Sequence, residues 1–88
     1  MSRYRIRFSL KAESAAAKID VSVLARIRIA IETKLSVDPI RFGKPLGYSL
    51  RQTRALRVGD WRVLYILSGT EVVILTMRHR KEGYDDFR

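Results

Sequence analysis

Residues Trp61 to Met77 constrain this chain more than any other stretch. Trp61 to Leu67 alternates, with Arg62, Leu64 and Ile66 on one side and Trp61, Val63, Tyr65 and Leu67 on the other, the period of two that marks a strand. Val72 to Met77 is a second apolar strand, and Ser68-Gly69-Thr70-Glu71 between them predicts a short hairpin loop. Leu50 to Val58 reads as a third strand, entering the hairpin through a turn at Gly59-Asp60. Arg3 to Leu10 adds a fourth, with Tyr4, Ile6 and Phe8 alternating against Arg5, Arg7 and Ser9.

Helical patterns fill the space between. Lys11 to Lys18 is rich in Ala, the residue with the best intrinsic helix propensity. From Val21 to Leu35, the apolar residues Leu24, Ile27, Ile31 and Leu35 recur at spacings of three and four. Asp20 stands where an N-cap carboxylate accepts from free amides, and Asp38-Pro39 ends the helix, because the residue before Pro avoids helical angles. Ile40 to Ser49, with Gly43, Pro45 and Gly47, reads as loop, and Lys81 to Arg88 as a short helix or tail. The order predicts an α+β fold: an N-terminal strand and two helices packed on one face of a small antiparallel sheet. At 88 residues the chain is a single domain, too short for two cores. Leu24, Ile27, Ile31, Leu56, Val63, Tyr65 and Val73 are the expected contacts between helices and sheet.

Charge points to function. Lys and Arg number 18 against 9 acids, a net of +9. Between Pro39 and Thr70 the bases are Arg41, Lys44, Arg51, Arg54, Arg57 and Arg62, and the acid is Asp60 alone. A solvated face mixes signs, so this excess predicts a polyanion-binding surface with nucleic acid as first candidate, an acidic protein second and an anionic membrane surface a distant third. Arg dominates, and its planar fork pairs with phosphate in two-pronged fashion. Arg3, Arg5 and Arg7 read instead as charges guarding the edge of the first strand.

The absence of Cys fits a cytoplasmic protein. No apolar run reaches the roughly 20 residues needed to cross a bilayer, so no membrane role is expected. One His and no Cys predict no metal site, and no cofactor is implied. Gly43 and Gly47 are too sparse for a phosphate loop. Parity sets His79 apart from Arg78 and Arg80, favouring a structural role for it, and aligns Trp61 with the core. If the last two strands pair, Arg62 and either Arg78 or Arg80 face a common groove.

Three segments carry a family likeness: Lys44-Pro45-Leu46-Gly47 leading into Leu50-Arg51; Leu56-Arg57-Val58-Gly59-Asp60-Trp61-Arg62-Val63-Leu64-Tyr65; and Val72-Val73-Ile74-Leu75 closing in Arg78-His79-Arg80-Lys81-Glu82-Gly83-Tyr84. Together they resemble the RelE/ParE toxin superfamily, and the RelE family within it. That resemblance implies a toxin that enters the ribosomal A site and cleaves bound mRNA without metal, the RNA 2′-OH attacking the adjacent phosphate. It also implies an acidic antitoxin partner of RelB type. By position, Arg62 would hold the scissile phosphate, Arg80 would stabilise it or act as acid, and Tyr84 would serve as base or stacking platform. Arg51, Arg54, Arg57, Lys44, Arg78 and Lys81 would bind RNA around them. The sequence departs from the family where two Lys are expected, having Thr53 and Ala55. The rival function is that of the ParE branch, inhibition of gyrase without catalysis; a basic nucleic-acid-binding module without toxicity is a third.

Overall fold

The computed structural model describes residues 3–47 and 52–83. Strand β1 (Arg5–Phe8) leads into helices α1 (Leu10–Ala17) and α2 (Val21–Ala30). Helix α2 runs on through one π-helical turn, Ile31–Leu35, before the short helix α3 (Pro39–Phe42). Strands β2 (Lys44–Pro45), β3 (Arg54–Val58), β4 (Trp61–Ser68) and β5 (Glu71–His79) follow, and the one-turn helix α4 (Arg80–Gly83) closes the described chain. The α+β class is as expected. The sheet, however, is mixed rather than antiparallel: its order is β1-β5-β4-β3-β2, with β1 parallel to β5. Everything from α1 to β4 lies between β1 and its parallel neighbour β5, so the pair has the long connection that parallel neighbours require. Strand β1 lies at the sheet edge, so Arg5 and Arg7 stand where edge-guarding charges belong.

The core forms where the helical stripe meets one sheet face. Ile27, Ile31 and Leu35 are buried against Leu56, Val63, Tyr65, Val72, Ile74 and Met77, and Leu24 packs half-buried against the same cluster. Burying each such side chain is worth about 1.5–3 kcal/mol. Val73 is buried too, but it lies outside that cluster, paired with Ile66 and Arg7. Ile74, not Val73, carries the helix-facing parity.

A bulge explains the parity of the strand end. Tyr65 pairs with Ile74, whereas Leu64 pairs with Thr76, so Leu75 has no counterpart on β4. Beyond the bulge the faces exchange: Met77 joins the core, and Thr76 and Arg78 come opposite Leu64 and Arg62. Ser9 holds this feature. Its amide donates to Ile74 O, its Oγ donates to Leu75 O at 3.0 Å, and the same Oγ caps α1 by accepting from Ala12 N at 3.1 Å. Ser9→Ala removes cap and bulge contact together and should cost about 1–2 kcal/mol in denaturant unfolding. An unchanged midpoint would show that the bulge needs no side-chain support.

Local caps and turns behave as their chemistry requires. Asp20 accepts from Ser22 N at the start of α2, and this hydrogen-bonding to Ser22 lowers its pKa. Asp38-Pro39 not only ends the long helix but begins α3, with Asp38 accepting from Arg41 N and Pro at the first turn, where its missing N–H costs nothing. Both hairpins close on two residues, Gly59-Asp60 and Gly69-Thr70, with φ of +60° and +61° at the glycines, as type II′ turns demand.

The segment expected as loop is anchored from below. Tyr65 is fully buried and its hydroxyl donates to Pro39 O at 2.6 Å. Burial pushes the Tyr65 pKa up, opposed by neighbouring Arg54, so the hydroxyl remains a donor. Arg54, directly opposite Tyr65 in the sheet, donates from Nη2 to Ile40 O (2.6 Å) and Gly43 O (2.8 Å). Gly43 lies so close that a Cβ there would stand 1.5 Å from Tyr65 Oη. A fully buried ring has nowhere to retreat, so Gly43→Ala should destabilise by at least about 2–3 kcal/mol. Thermal unfolding of the variant checks this, and a melting temperature equal to the parent's would refute the close approach.

Candidate nucleic-acid interface

Strand register assembles the site. Arg57 of β3 lies directly opposite Arg62 of β4, and Arg62 directly opposite Arg78 of β5. Each alternates with residues of the helix-facing core, so the three arginines form one row on the far face of the sheet. Side chains directly opposite one another have Cβ atoms roughly 4.5–5.5 Å apart. Like charges so placed oppose folding by a few tenths of a kcal/mol per pair. A sheet that sets three arginines at directly opposed positions on one face gives up stability for a concentrated positive field, which suits a polyanion; Arg57 also reaches its own turn, its Nε donating to Gly59 O at 3.4 Å.

The neighbouring row reads Lys44, Ala55, Leu64, Thr76 across β2 to β5. Here the structure answers the missing lysines. Lys44, on the edge strand, lies directly opposite Ala55 and shares its face. It therefore brings a cation next to a position where Ala55 supplies none. Thr53 instead helps join β2 to β3, its carbonyl accepting from Leu46 N at 2.9 Å.

The remaining sequence-based candidates divide. Arg78, not Arg80, is the register partner of Arg62. Arg80 starts α4, its amide donating to Asp60 O at 2.7 Å and its guanidinium 3.5 Å from the Asp60 carboxylate. It thus stands at the β3–β4 turn, beyond the end of the row. Arg54 is engaged with the carbonyls at the end of α3 and is not part of the row; its Nε is buried without a partner. Lys81 is exposed on α4, with its amide donating to His79 Nδ1 at 3.1 Å. His79 is therefore the cap of α4, and its ring meets Trp61 edge-on at 5.2 Å, as a structural pair. Arg51 and Tyr84 lie outside the described residues.

Beside the arginine row opens a cavity of about 390 Å³, walled by Lys34, Phe42, Lys44, Arg57 and Arg62 and floored in part by Ala55. Lys34 and Phe42 were not among the residues picked out by pattern. Lys34 comes from the π-helical turn, and Phe42 from the short helix in the expected loop. Nothing in linear spacing links them to β3. Among the described residues, no group of three or more His, Cys, Asp or Glu could hold a metal ion, and no helix is long and apolar enough to cross a membrane.

Comparisons with known proteins agree with this architecture. The family model described as "ParE toxin of type II toxin-antitoxin system, parDE" matches residues 6–84. Toxin RelG of Mycobacterium tuberculosis (strain ATCC 25618 / H37Rv) is 36% identical over 83 residues, covering 92% of this chain and 95% of the relative. Among solved structures, the toxin–antitoxin complex RelBE2 of M. tuberculosis contains a chain that superimposes with a TM-score of 0.83 at 36% identity, covering 93% of this chain and 97% of that one. The RelB–RelE antitoxin–toxin complex of Methanococcus jannaschii shares the fold, with a TM-score of 0.71 at 20% identity and coverage of 93% and 99%. With a family match over most of its length and a full-length relative at this identity, the chain belongs to the RelE/ParE superfamily and is a toxin of a type II toxin–antitoxin system.

Proposed function

We propose that this toxin is a ribosome-dependent mRNA endonuclease of RelE type. The observation that carries the assignment is the Arg57–Arg62–Arg78 row, three arginines at directly paired positions on adjacent strands of one face. In the reaction the RNA 2′-oxygen bonds to the adjacent phosphorus and the bond from phosphorus to the 5′-oxygen breaks. The 2′-OH proton passes to a base, and a proton from an acid completes the leaving 5′-hydroxyl. The phosphorane gains negative charge, which preorganised guanidinium groups stabilise more strongly than they do the ground state. Arg62, at the centre of the row, is assigned to the scissile phosphate. Arg57 and Arg78 flank it, and Arg80 approaches from the head of α4 as stabiliser or acid. Tyr84 is assigned as the base, with Arg51, Lys44 and Lys81 contributing to RNA affinity. Arg54 serves the fold. No step calls on a metal or other cofactor. The setting is the cytoplasm, where ribosomes work.

Single-turnover cleavage on programmed ribosomes tests this. Arg62→Ala should lower the rate at saturating ribosome on the order of 10²–10³-fold. Arg62→Ala cleaving at the parent's rate would refute the catalytic assignment.

The alternative, a gyrase inhibitor without catalysis, draws on the ParE name of the matching family model. Induction in cells separates the two: cleaved mRNA and translation arrest support the nuclease, and gyrase-linked DNA breaks support the inhibitor.

We further propose an acidic antitoxin of RelB type as partner, since RelB accompanies the toxin in the archaeal complex of the same fold and the chain carries a net charge of +9. Co-expression with an adjacent acidic reading frame should give a stable complex whose association rate falls as salt rises. Failure of the two chains to copurify would overturn the pairing.

A further inference from the structure

The cavity beside the arginine row is lined in part by a small residue of β3, Ala55. Ala55 is flanked along its face by Arg57 and opposed across strands by Lys44 and Leu64. A long side chain at this position would occupy the space that Lys34, Phe42, Lys44, Arg57 and Arg62 enclose. The cation facing Ala55 comes from across the strand pair, so the positive field persists while the floor stays open.

We propose that this cavity is a subsite for one nucleotide of single-stranded RNA, the neighbour of the phosphate held by the arginine row. The inference rests on the endonuclease assignment. Three features fit such an occupant. The volume, about 390 Å³, lies in the small-ligand range of roughly 300–1,000 Å³. Among the described residues the walls hold four cations, Lys34, Lys44, Arg57 and Arg62, and no acid, the lining a phosphodiester needs on leaving water. Phe42 is 40% exposed, and an exposed aromatic ring beside a basic groove is the platform on which unpaired bases stack. Arg57 and Arg62 belong to both the cavity and the row, so one backbone can run from one to the other without a break. Base and ribose sit over Ala55 against Phe42, and the outer phosphate meets Lys34 and Lys44.

Binding of a labelled RNA trinucleotide, made uncleavable by 2′-deoxy substitution, tests the assignment on the full-length chain without any cleavage step. Removing the base at the flanking position should weaken binding about tenfold in the parent, as loss of one stacked base does. Phe42→Ala, at an exposed helix end, should bind weakly and lose all sensitivity to the missing base. Ala55→Leu, which fills the floor without charge, and Ala55→Lys, which fills it with a cation, should both lose that sensitivity too. Lys34→Gln should lower the salt slope by about one unit. An abasic penalty that is the same in the parent, Phe42→Ala and both Ala55 variants would overturn the subsite, as would Ala55→Lys binding the intact trinucleotide more tightly with its base sensitivity retained. The two assignments fail separately. If Arg62→Ala cleaves like the parent on ribosomes while base sensitivity still depends on Phe42, the nuclease chemistry falls and the subsite stands. If Arg62→Ala is inactive but no variant alters the abasic penalty, the subsite falls alone.

Discussion

The one-residue bulge at Leu75 is the constraint on which the site depends. Strand side chains alternate, so a regular β5 that buried Ile74 would turn Thr76 and Arg78 toward the helices and send Met77 to the other face. The inserted residue reverses that assignment. Met77 completes the core and Arg78 arrives beside Arg62. A bulge leaves backbone groups outside the ladder, and here Ser9 takes up the Leu75 carbonyl while capping α1. One side chain therefore joins the start of the helical layer to the irregularity that orients the arginines. Helix packing, bulge and charged row form a single mechanical unit.

The same residue type does two different jobs in adjacent positions. Arg54 and Arg57 are three apart on β3, so they point to opposite faces. Arg54 turns to the helix side and binds the carbonyls of Ile40 and Gly43, satisfying acceptors that a short helix leaves open at its end. Arg57 turns to the far side and joins the row. Tyr65, opposite Arg54, fastens Pro39 in the same way. These contacts hold the connection from α3 to β2 against the sheet, and β2 is what carries Lys44 to Ala55. A buried tyrosine hydroxyl thus sets the position of a surface cation that it never touches.

Periodicity revealed the strands and helices through their core-facing residues: Val63 and Tyr65 of β4 and the stripe of Ile27, Ile31 and Leu35 meet in one cluster, although Leu64 is buried on the far face as well. What it missed turned on non-local events. The mixed sheet depends on where β1 docks after the helices, which no local pattern records. Val73 was given the wrong face because the bulge at Leu75 shifts parity, and an apolar run such as Val72 to Leu75 carries no mark of it; the choice between Arg78 and Arg80 stayed open because the two share a parity and only the end of β5 at His79 separates them. Asp38-Pro39 signalled the end of one helix clearly, but the start of another rests on the Asp38 cap and on Tyr65 far along the chain. Lys34 and Phe42 became neighbours of β3 only through that folded connection. The excess of Arg between Pro39 and Thr70 could not separate Arg54, which turns to the helix side, from Arg57, which turns to the far side.

A polyanion site on a sheet faces a conflict between affinity and room. Long cationic side chains on every outward position would maximise field but fill the groove that the ligand must enter. This chain resolves the conflict by position. Charge stands on Arg57, Arg62 and Arg78 in one row and moves to the edge at Lys44 in the next, leaving Ala55 and Leu64 as a low floor between them. The cations in the row are mounted on three hydrogen-bonded strands, so their backbone is already ordered, and under the proposed endonuclease reading little reorganisation is needed when charge develops between them. Those at the rim, Lys34 and Lys44, hang on long flexible stems that adapt to a moving backbone. Under the proposed reading, arginines mounted on paired strands hold one phosphate at the centre, and lysines on flexible stems at the rim follow the rest of the strand.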